Sequence, residues 1–319
     1  MKAVMGFVLA SAFAFVPQTL ASGQPVATLQ NTVPAVQVGS TLAALEGSSA
    51  MYGPVLDLDA EKEDRFIRTG PFTRRVMIPK NLCRADAKHD VVLHFHGVPT
   101  SVEPSVERSG LNAVVVISTW GIGSGAYEDY FTPRGALAGM LDFVERTVNK
   151  ECGVTTAGLN RLALSSWSAG YGAIYRILLH PEDRARVDAL LMSDGMHVGY
   201  VGPGKPNPES MQVFADFAHE AASGKQLFAI THSSIEPEKY ASTRETAEYL
   251  VNHEKLALAL VDEPGPRPQM HMTSRADQGN FHVRGFAGQV ARDHCQHLHA
   301  LGDWLFPLLR DRWNTTPAQ

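Results

Sequence analysis

Ser168 is the side chain whose surroundings promise the most chemistry. It lies in Leu162-Ala163-Leu164-Ser165-Ser166-Trp167-Ser168-Ala169-Gly170-Tyr171-Gly172-Ala173. An apolar run ends there, small residues follow, and a helical pattern begins. The sequence therefore predicts strand, sharp turn and helix, with Ser168 at the turn. Ser166 and Gly170, two residues before and two after, are small enough for strand and helix to approach closely. Such a bend lifts a hydroxyl clear of the backbone. The helix N-terminus beside it favours the negative charge that develops during acyl transfer. Ser165 and Ser166 still fall in the strand and are poorer nucleophile candidates. The plain alternative is an ordinary tight strand–helix turn.

A second group of residues admits a different chemistry. Val91-Val92-Leu93-His94-Phe95-His96-Gly97-Val98-Pro99 reads as a strand running into a His-Gly turn. His94 and His96 alternate, so a regular strand would place both on one side, as metal ligands often are. His294, His297 and His299 are the candidates for a third ligand, but their spacing matches no strong metal motif. The chain has 13 histidines, which keeps a metal-dependent reading open.

These residues need elements to position them. Arg65–Thr69 and Thr73–Pro79 flank Gly70-Pro71 and predict a hairpin. Strands are predicted at 91–96, at 112–119 (NAVVVIST, apolar enough for burial on both faces), at 161–166, 187–192, 226–231 and 281–286. Helical spacing recurs over 135–150 in Leu137, Met140, Leu141, Val144 and Val148. Helices are also predicted over 169–180, 210–222 and 291–312. Ser242-Thr243-Arg244-Glu245 is a capping box opening a helix to about Asn252. Strands alternating with helices imply an α/β fold: a mostly parallel central sheet with helices on both faces and an antiparallel N-terminal hairpin. Residues 51–315 read as one domain. The turn-rich stretches 198–209 and 263–280 are candidates for a small lid.

The combination Ser166-Trp167-Ser168-Ala169-Gly170, in its strand–turn–helix setting, resembles the nucleophile elbow Gly-x-Ser-x-Gly of the α/β-hydrolase superfamily, with serine in place of the first glycine. The resemblance implies the α/β-hydrolase fold and a serine esterase or lipase-like activity without a cofactor. It implies an oxyanion hole from the backbone N–H groups of Val98, after the His-Gly turn, and Ala169. It also implies the chain order Ser, acid, His. Asp194, in Ser193-Asp194-Gly195 after a predicted strand, is the favoured acid. Glu236, after the next strand, is the alternative, and a turn-capping aspartate is the plain reading of Asp194. His294 stands where the terminal helix starts and is the favoured base. His282 and His232 compete with it, while His297 and His299 read as surface or packing residues.

Trp120-Gly121-Ile122-Gly123-Ser124-Gly125-Ala126-Tyr127 has three glycines, but no lysine follows, so phosphate binding is a weak reading. It reads as a flexible loop at the rim of the site. Trp120, Tyr127, Trp167 and Tyr200 are candidates to line an aromatic or apolar acyl pocket, or else to pack the upper edge of the sheet. Amide or peptide hydrolysis would use the same side chains as ester hydrolysis. A non-catalytic binding protein that kept the fold is a further alternative.

The rest of the chain sets the context. It has 319 residues, 44% hydrophobic and 19% charged, without low-complexity bias, which excludes disordered and fibrous classes. A net charge of -5 argues against a nucleic-acid partner. Lys2, the apolar run 3–16 and the small residues near Ala21-Ser22 read as a secretory signal peptide over 1–21. Residues 22–50 read as a weakly ordered lead-in. The expected protein is secreted or periplasmic, without stable membrane insertion once the signal is removed, and acts on a small-molecule or polymer ester. Cys83 and Cys152 fall at the rim where parallel strands begin, which favours a Cys83–Cys152 disulfide. Cys295 falls at the other rim. Three free thiols are the alternative.

Overall fold

The computed structural model describes residues 64–315. The expected signal peptide and lead-in lie outside the described residues. The chain opens with β1 (Phe66–Thr69) and β2 (Arg74–Pro79), paired antiparallel as predicted. Next come β3 (Lys88–Phe95), α1 (Pro99–Ser109), β4 (Val114–Ser118), α2 (Gly125–Phe131) and α3 (Ala136–Cys152). β5 (Gly158–Trp167) leads through a 3₁₀ turn at Ser168–Gly170 into α4 (Tyr171–Leu178) and the short α5 (Pro181–Arg184). β6 (Val187–Ser193) is followed by a small hairpin, β7 (Tyr200–Gly202) and β8 (Lys205–Pro206), then α6 (Pro208–Ala222) and β9 (Leu227–His232). The rest is α7 (Thr243–His253), β10 (Ala259–Pro264), β11 (His271–Gln278), β12 (Phe281–Phe286), α8 (Ala291–His299) and α9 (Leu305–Thr315).

One ten-stranded sheet runs in the order β1-β2-β4-β3-β5-β6-β9-β12-β11-β10. Its centre, from β4 to β12, is parallel. The expected fold class is realised. β4 shows why the sheet is covered on both sides. Val114 and Val116 enter the core on one face and Val115 and Ile117 the core on the other, all fully buried. Side chains of this size contribute roughly 1.5–3 kcal/mol each when buried. The helical stripe read in the sequence packs as expected, with Leu137, Met140, Leu141, Val144 and Val148 all buried beneath α3. Cys83 and Cys152 are joined in a disulfide closing a separation of 69 residues at the rim where strands begin.

Three expectations fail locally. The terminal helix is not continuous, because a 3₁₀ turn at Ala300–Gly302 separates α8 from α9. A Cβ at Gly302 would lie 2.3 Å from the Ser105 carbonyl oxygen, so the chain breaks where it presses on α1. Residues 263–280 contain no lid. β11 joins the sheet antiparallel between β12 and β10. The glycine-rich stretch is not wholly a loop, since α2 starts at Gly125. Among the described residues no helix is long and apolar enough to cross a membrane.

Candidate active site

Four non-glycine residues among those described have positive φ: His96, Ser168, Asp194 and Lys255. The first three each follow directly on the end of a strand, namely β3, β5 and β6. A left-handed backbone costs a side-chain-bearing residue on the order of 1 kcal/mol or more, so packing must impose it.

At Ser168 the imposing contacts are visible. Trp167 is still extended (φ -119°, ψ 142°), and Ser168 turns to φ 50°. A Cβ at Gly170 would lie 2.0 Å from the Phe95 carbonyl oxygen at the end of β3. One at Gly195 would lie 2.4 Å from the Ser168 carbonyl oxygen. Only glycine lets the neighbouring chain ends approach this closely. Ser166, in the place of the motif's first glycine, is fully buried, and its hydroxyl has no partner among the described residues.

Asp194 is 1% exposed and well supplied with donors. Its Oδ1 accepts the Ser233 N–H at 2.8 Å and the Thr243 hydroxyl at 2.5 Å. Its Oδ2 meets His294 Nδ1 at 2.6 Å. Burial works against the charged carboxylate, but the neighbouring His297 and His294 and the Thr243 hydroxyl hold its pKa well below the usual range. His297 is itself pushed down to about 4 by burial and is neutral near pH 7, so the hydrogen bonds carry the effect there. An ionised carboxylate can only accept, so Nδ1 of His294 carries the proton and Nε2 is left as the basic atom.

His294 sits in the first turn of α8, which one row of the sheet grips. Trp167, Ser193 and Thr231 are neighbours in register at the ends of β5, β6 and β9. The Trp167 indole N–H donates to the His294 carbonyl at 3.1 Å. The Ser193 hydroxyl donates to the His297 carbonyl at 2.9 Å, and Thr231 Oγ1 meets His297 Nδ1 at 2.8 Å. The Asp293 carboxylate accepts the N–H groups of Gln289 and Val290 and caps the helix. Among the described residues no hydrogen bond joins Ser168 Oγ to His294 Nε2. Catalytic hydrogen bonds often tighten only when substrate is bound.

The His-Gly turn is also left-handed, with φ 71° at His96 and 106° at Gly97. Val98 follows it as the N-cap of α1, and Ala169 lies in the turn that opens α4. Both expected oxyanion donors thus stand at the start of a helical segment. His94 and His96 do not share a task. His94 is fully buried, bonds Ser165 Oγ at 2.9 Å and is pushed down to about 3 by burial. His96 bonds the Tyr127 hydroxyl at 2.9 Å and is pushed down to about 4, by burial first and then by the charge of His294. Among the described residues no three His, Cys, Asp or Glu side chains converge on a possible metal position.

The structure brings Asp194 and His294 together and leaves their competitors elsewhere. Glu236 is exposed and paired with Arg244 at 2.5 Å. His282 pairs with Asp277 at 2.7 Å, and His232 is buried with Nδ1 near the Ser233 carbonyl. His297 is a buried, hydrogen-bonded residue and not a surface one. The proposed pocket residues divide. Tyr127 is fully buried, and burial pushes its phenol up to about 12. Its hydroxyl takes the Trp120 N–H and braces the glycine-rich turn. Trp120 stacks on Tyr127 and lies 4.4 Å from Tyr130 between ring centroids. The Tyr200 hydroxyl donates to Glu245 at 2.7 Å and ties the β7–β8 hairpin to α7. Trp167 is 9% exposed, with the imidazoles of both His96 and His294 stacked on its indole. Sequence reading missed Thr243 as a support for Asp194. Its signal lay inside the capping box, which was read only as a helix start. Tyr171, His197 and Tyr240 also escaped notice. They form a row of ring contacts at 5.8 and 5.0 Å that begins three residues after Ser168.

No protein-family model matches the chain. No curated protein matches it either. Solved structures do. A hyperthermophilic esterase from the archaeon Pyrobaculum calidifontis is 14% identical, with 87% of this chain and 91% of that one covered and a TM-score of 0.46. A thermophilic carboxylesterase cloned from a metagenomic library is 15% identical, covering 88% and 96%, with a TM-score of 0.45. An α/β hydrolase from the metagenome of Lake Arreo, Spain, is 10% identical, covering 87% and 90%, with a TM-score of 0.47.

Proposed function

We propose that this chain, built on the α/β-hydrolase fold, is an exported serine hydrolase that cleaves carboxylic esters through an acyl-enzyme. One observation carries the reading. The His294 imidazole, held at 2.6 Å by a buried carboxylate 100 residues away in sequence, stacks on the residue preceding the strained Ser168.

Ser168 Oγ attacks the ester carbonyl carbon as its proton passes to His294 Nε2. The carbonyl oxygen becomes an oxyanion held by the Val98 and Ala169 N–H groups, each of which is worth roughly 3 kcal/mol of barrier. Collapse expels the alkoxide, which takes the proton from His294 as an alcohol. Water then attacks the acyl-Ser168 ester, gives a proton to His294, and the acid leaves as Ser168 recovers it. Asp194 keeps the imidazole in one tautomer and stabilises its charged form. Amide bonds are open to the same groups. The Cys83–Cys152 disulfide supports an oxidising compartment, which fits export.

Turnover of p-nitrophenyl acetate, with and without Ser168→Ala, tests this reading. The variant is expected to lose at least about a thousandfold in kcat/KM, as other serine hydrolases do on losing the nucleophile. A fluorophosphonate should label the wild type at the Ser168 peptide. Unchanged turnover in the variant, or labelling elsewhere, removes Ser168 from the mechanism.

A further inference from the structure

Trp167, the residue before Ser168, makes three contacts with two histidines. Its indole N–H donates to the His294 carbonyl at 3.1 Å. Its ring lies 4.6 Å from the His294 ring between centroids, at 28°. It lies 5.1 Å from the His96 ring, at 18°. We propose that Trp167 is a positioning residue for His294, gripping its backbone through the indole N–H and stabilising, through the ring face, the imidazolium that forms when Ser168 gives up its proton. This inference rests on the esterase reading above.

The physical case has three parts. A cation over an indole face is attracted by the ring quadrupole, and tryptophan is the best aromatic for it. The contact strengthens as positive charge develops on His294, so it favours the transition state over the ground state. The second imidazole on the ring does not compete. His96 is 8% exposed, hydrogen-bonded to Tyr127 and uncharged near pH 7, because burial pushes it down to about 4. The other titratable groups whose charge reaches His294 are Asp194 and His197, from the segment after β6, and His297 on its own helix, with Arg292 and Asp293 beside it along the chain. Only Asp194 touches the imidazole through a hydrogen bond. The indole is therefore the neutral group placed to respond to the charge.

Two substitutions separate the roles. Trp167→Phe keeps a ring face and loses the N–H, whereas Trp167→Leu loses both. With p-nitrophenyl acetate, Trp167→Leu is expected to lower kcat about ten- to thirtyfold while KM stays within about twofold. Trp167→Phe is expected to stay within about threefold of wild type. Equal impairment of the two, or a change confined to KM, overturns the ring-face role. Trp167 is nearly buried, so a second readout that does not depend on turnover guards against misfolding of Trp167→Leu. A protonated imidazole in contact with indole quenches its fluorescence. The wild-type emission minus that of Trp167→Phe should fall when the imidazole stacked on the indole is protonated. That transition should vanish in His294→Gln and survive in His96→Gln. If it survives in His294→Gln, the inference is wrong. A wild type that cleaves no ester yet shows the quenching refutes the reaction and the catalytic role together, while the stacked pair stands.

Discussion

The two rims of the central sheet are built on opposite principles. Where the parallel strands end, the backbone is strained and the polar groups are buried. His96, Ser168 and Asp194 turn left-handed in succession after β3, β5 and β6. His94, His96 and His297 are kept neutral by burial, and the Asp194 carboxylate is sealed beneath Ser233, Thr243 and His294. Where the strands begin, the chain is clamped. The Cys83–Cys152 bridge closes one side. Asp90 takes Arg161 at 2.6 Å, and Asp188 takes Arg312 at 2.6 Å and the Trp313 indole N–H at 2.7 Å. One rim holds strain and desolvated charge. The other supplies covalent and ionic closure. The contrast suggests that chemistry and stability are separable here by substitution.

The sharpest way to break the contrast is at Asp194. Asp194→Asn should cost about ten thousandfold in kcat, the scale seen when a serine-protease triad loses its carboxylate, because the amide can no longer fix the His294 tautomer. Its Oδ1 can still accept from Ser233 and Thr243, but the ionised carboxylate that the fold stabilises is lost, so the thermal midpoint should fall, and by far less than the activity does. A melting curve beside the kinetic assay checks both halves. A large loss of stability with activity retained would reverse the assignment of the two rims.

Removing the bridge should do the converse. Cys83→Ala with Cys152→Ala is expected to lower unfolding stability by roughly 4 kcal/mol in the chain-entropy model. Turnover at 25 °C should be close to wild type. Urea unfolding monitored by circular dichroism reads the first, and ester hydrolysis the second.

Acid should act on the strand-end rim first. Above about pH 6.5 both folded and unfolded chains hold His94, His96 and His297 neutral. Below it the unfolded chain takes up protons that the buried rings, at about 3 to 4, refuse. Stability therefore falls as pH drops from about 6.5 towards 4, by up to about 4 kcal/mol per pH unit for three such groups. Unfolding midpoints measured across that range check the slope. A flat profile would mean that these rings are not desolvated.

The smallest expected effect is at Ser166. Its buried hydroxyl has no partner, so Ser166→Ala should leave turnover within about twofold and change stability by no more than about 1 kcal/mol, in the stabilising direction. A strong loss of activity would give that hydroxyl a role which the strand-end geometry does not show.

Much of this was legible in the chain. The helical stripe of α3 and the apolar run of β4 carry their burial in local periodicity, and the Ser242–Glu245 capping box forms as read. The parallel order of the central strands follows from alternating element types. β10 was illegible because none of its residues is buried, and β11 because the two residues it buries, Ser274 and Ala276, are too small to stand out as an apolar face. The short α2 hides among glycines. The break between α8 and α9 depends on how closely Gly302 approaches Ser105, a contact between residues almost 200 apart.

The sequence by itself determined that a serine would stand at a strand–helix bend, and which aspartate and histidine were available to serve it, because bends and helix starts are written in neighbouring residues. Only the tertiary structure decided that Asp194 and not Glu236 reaches His294. It alone decided that His94 and His96 take different partners, and that Trp167 faces an imidazole instead of solvent. The reason is that a desolvated hydrogen bond or a ring stack is set by the packing of distant strands, and nothing in the local chain records it.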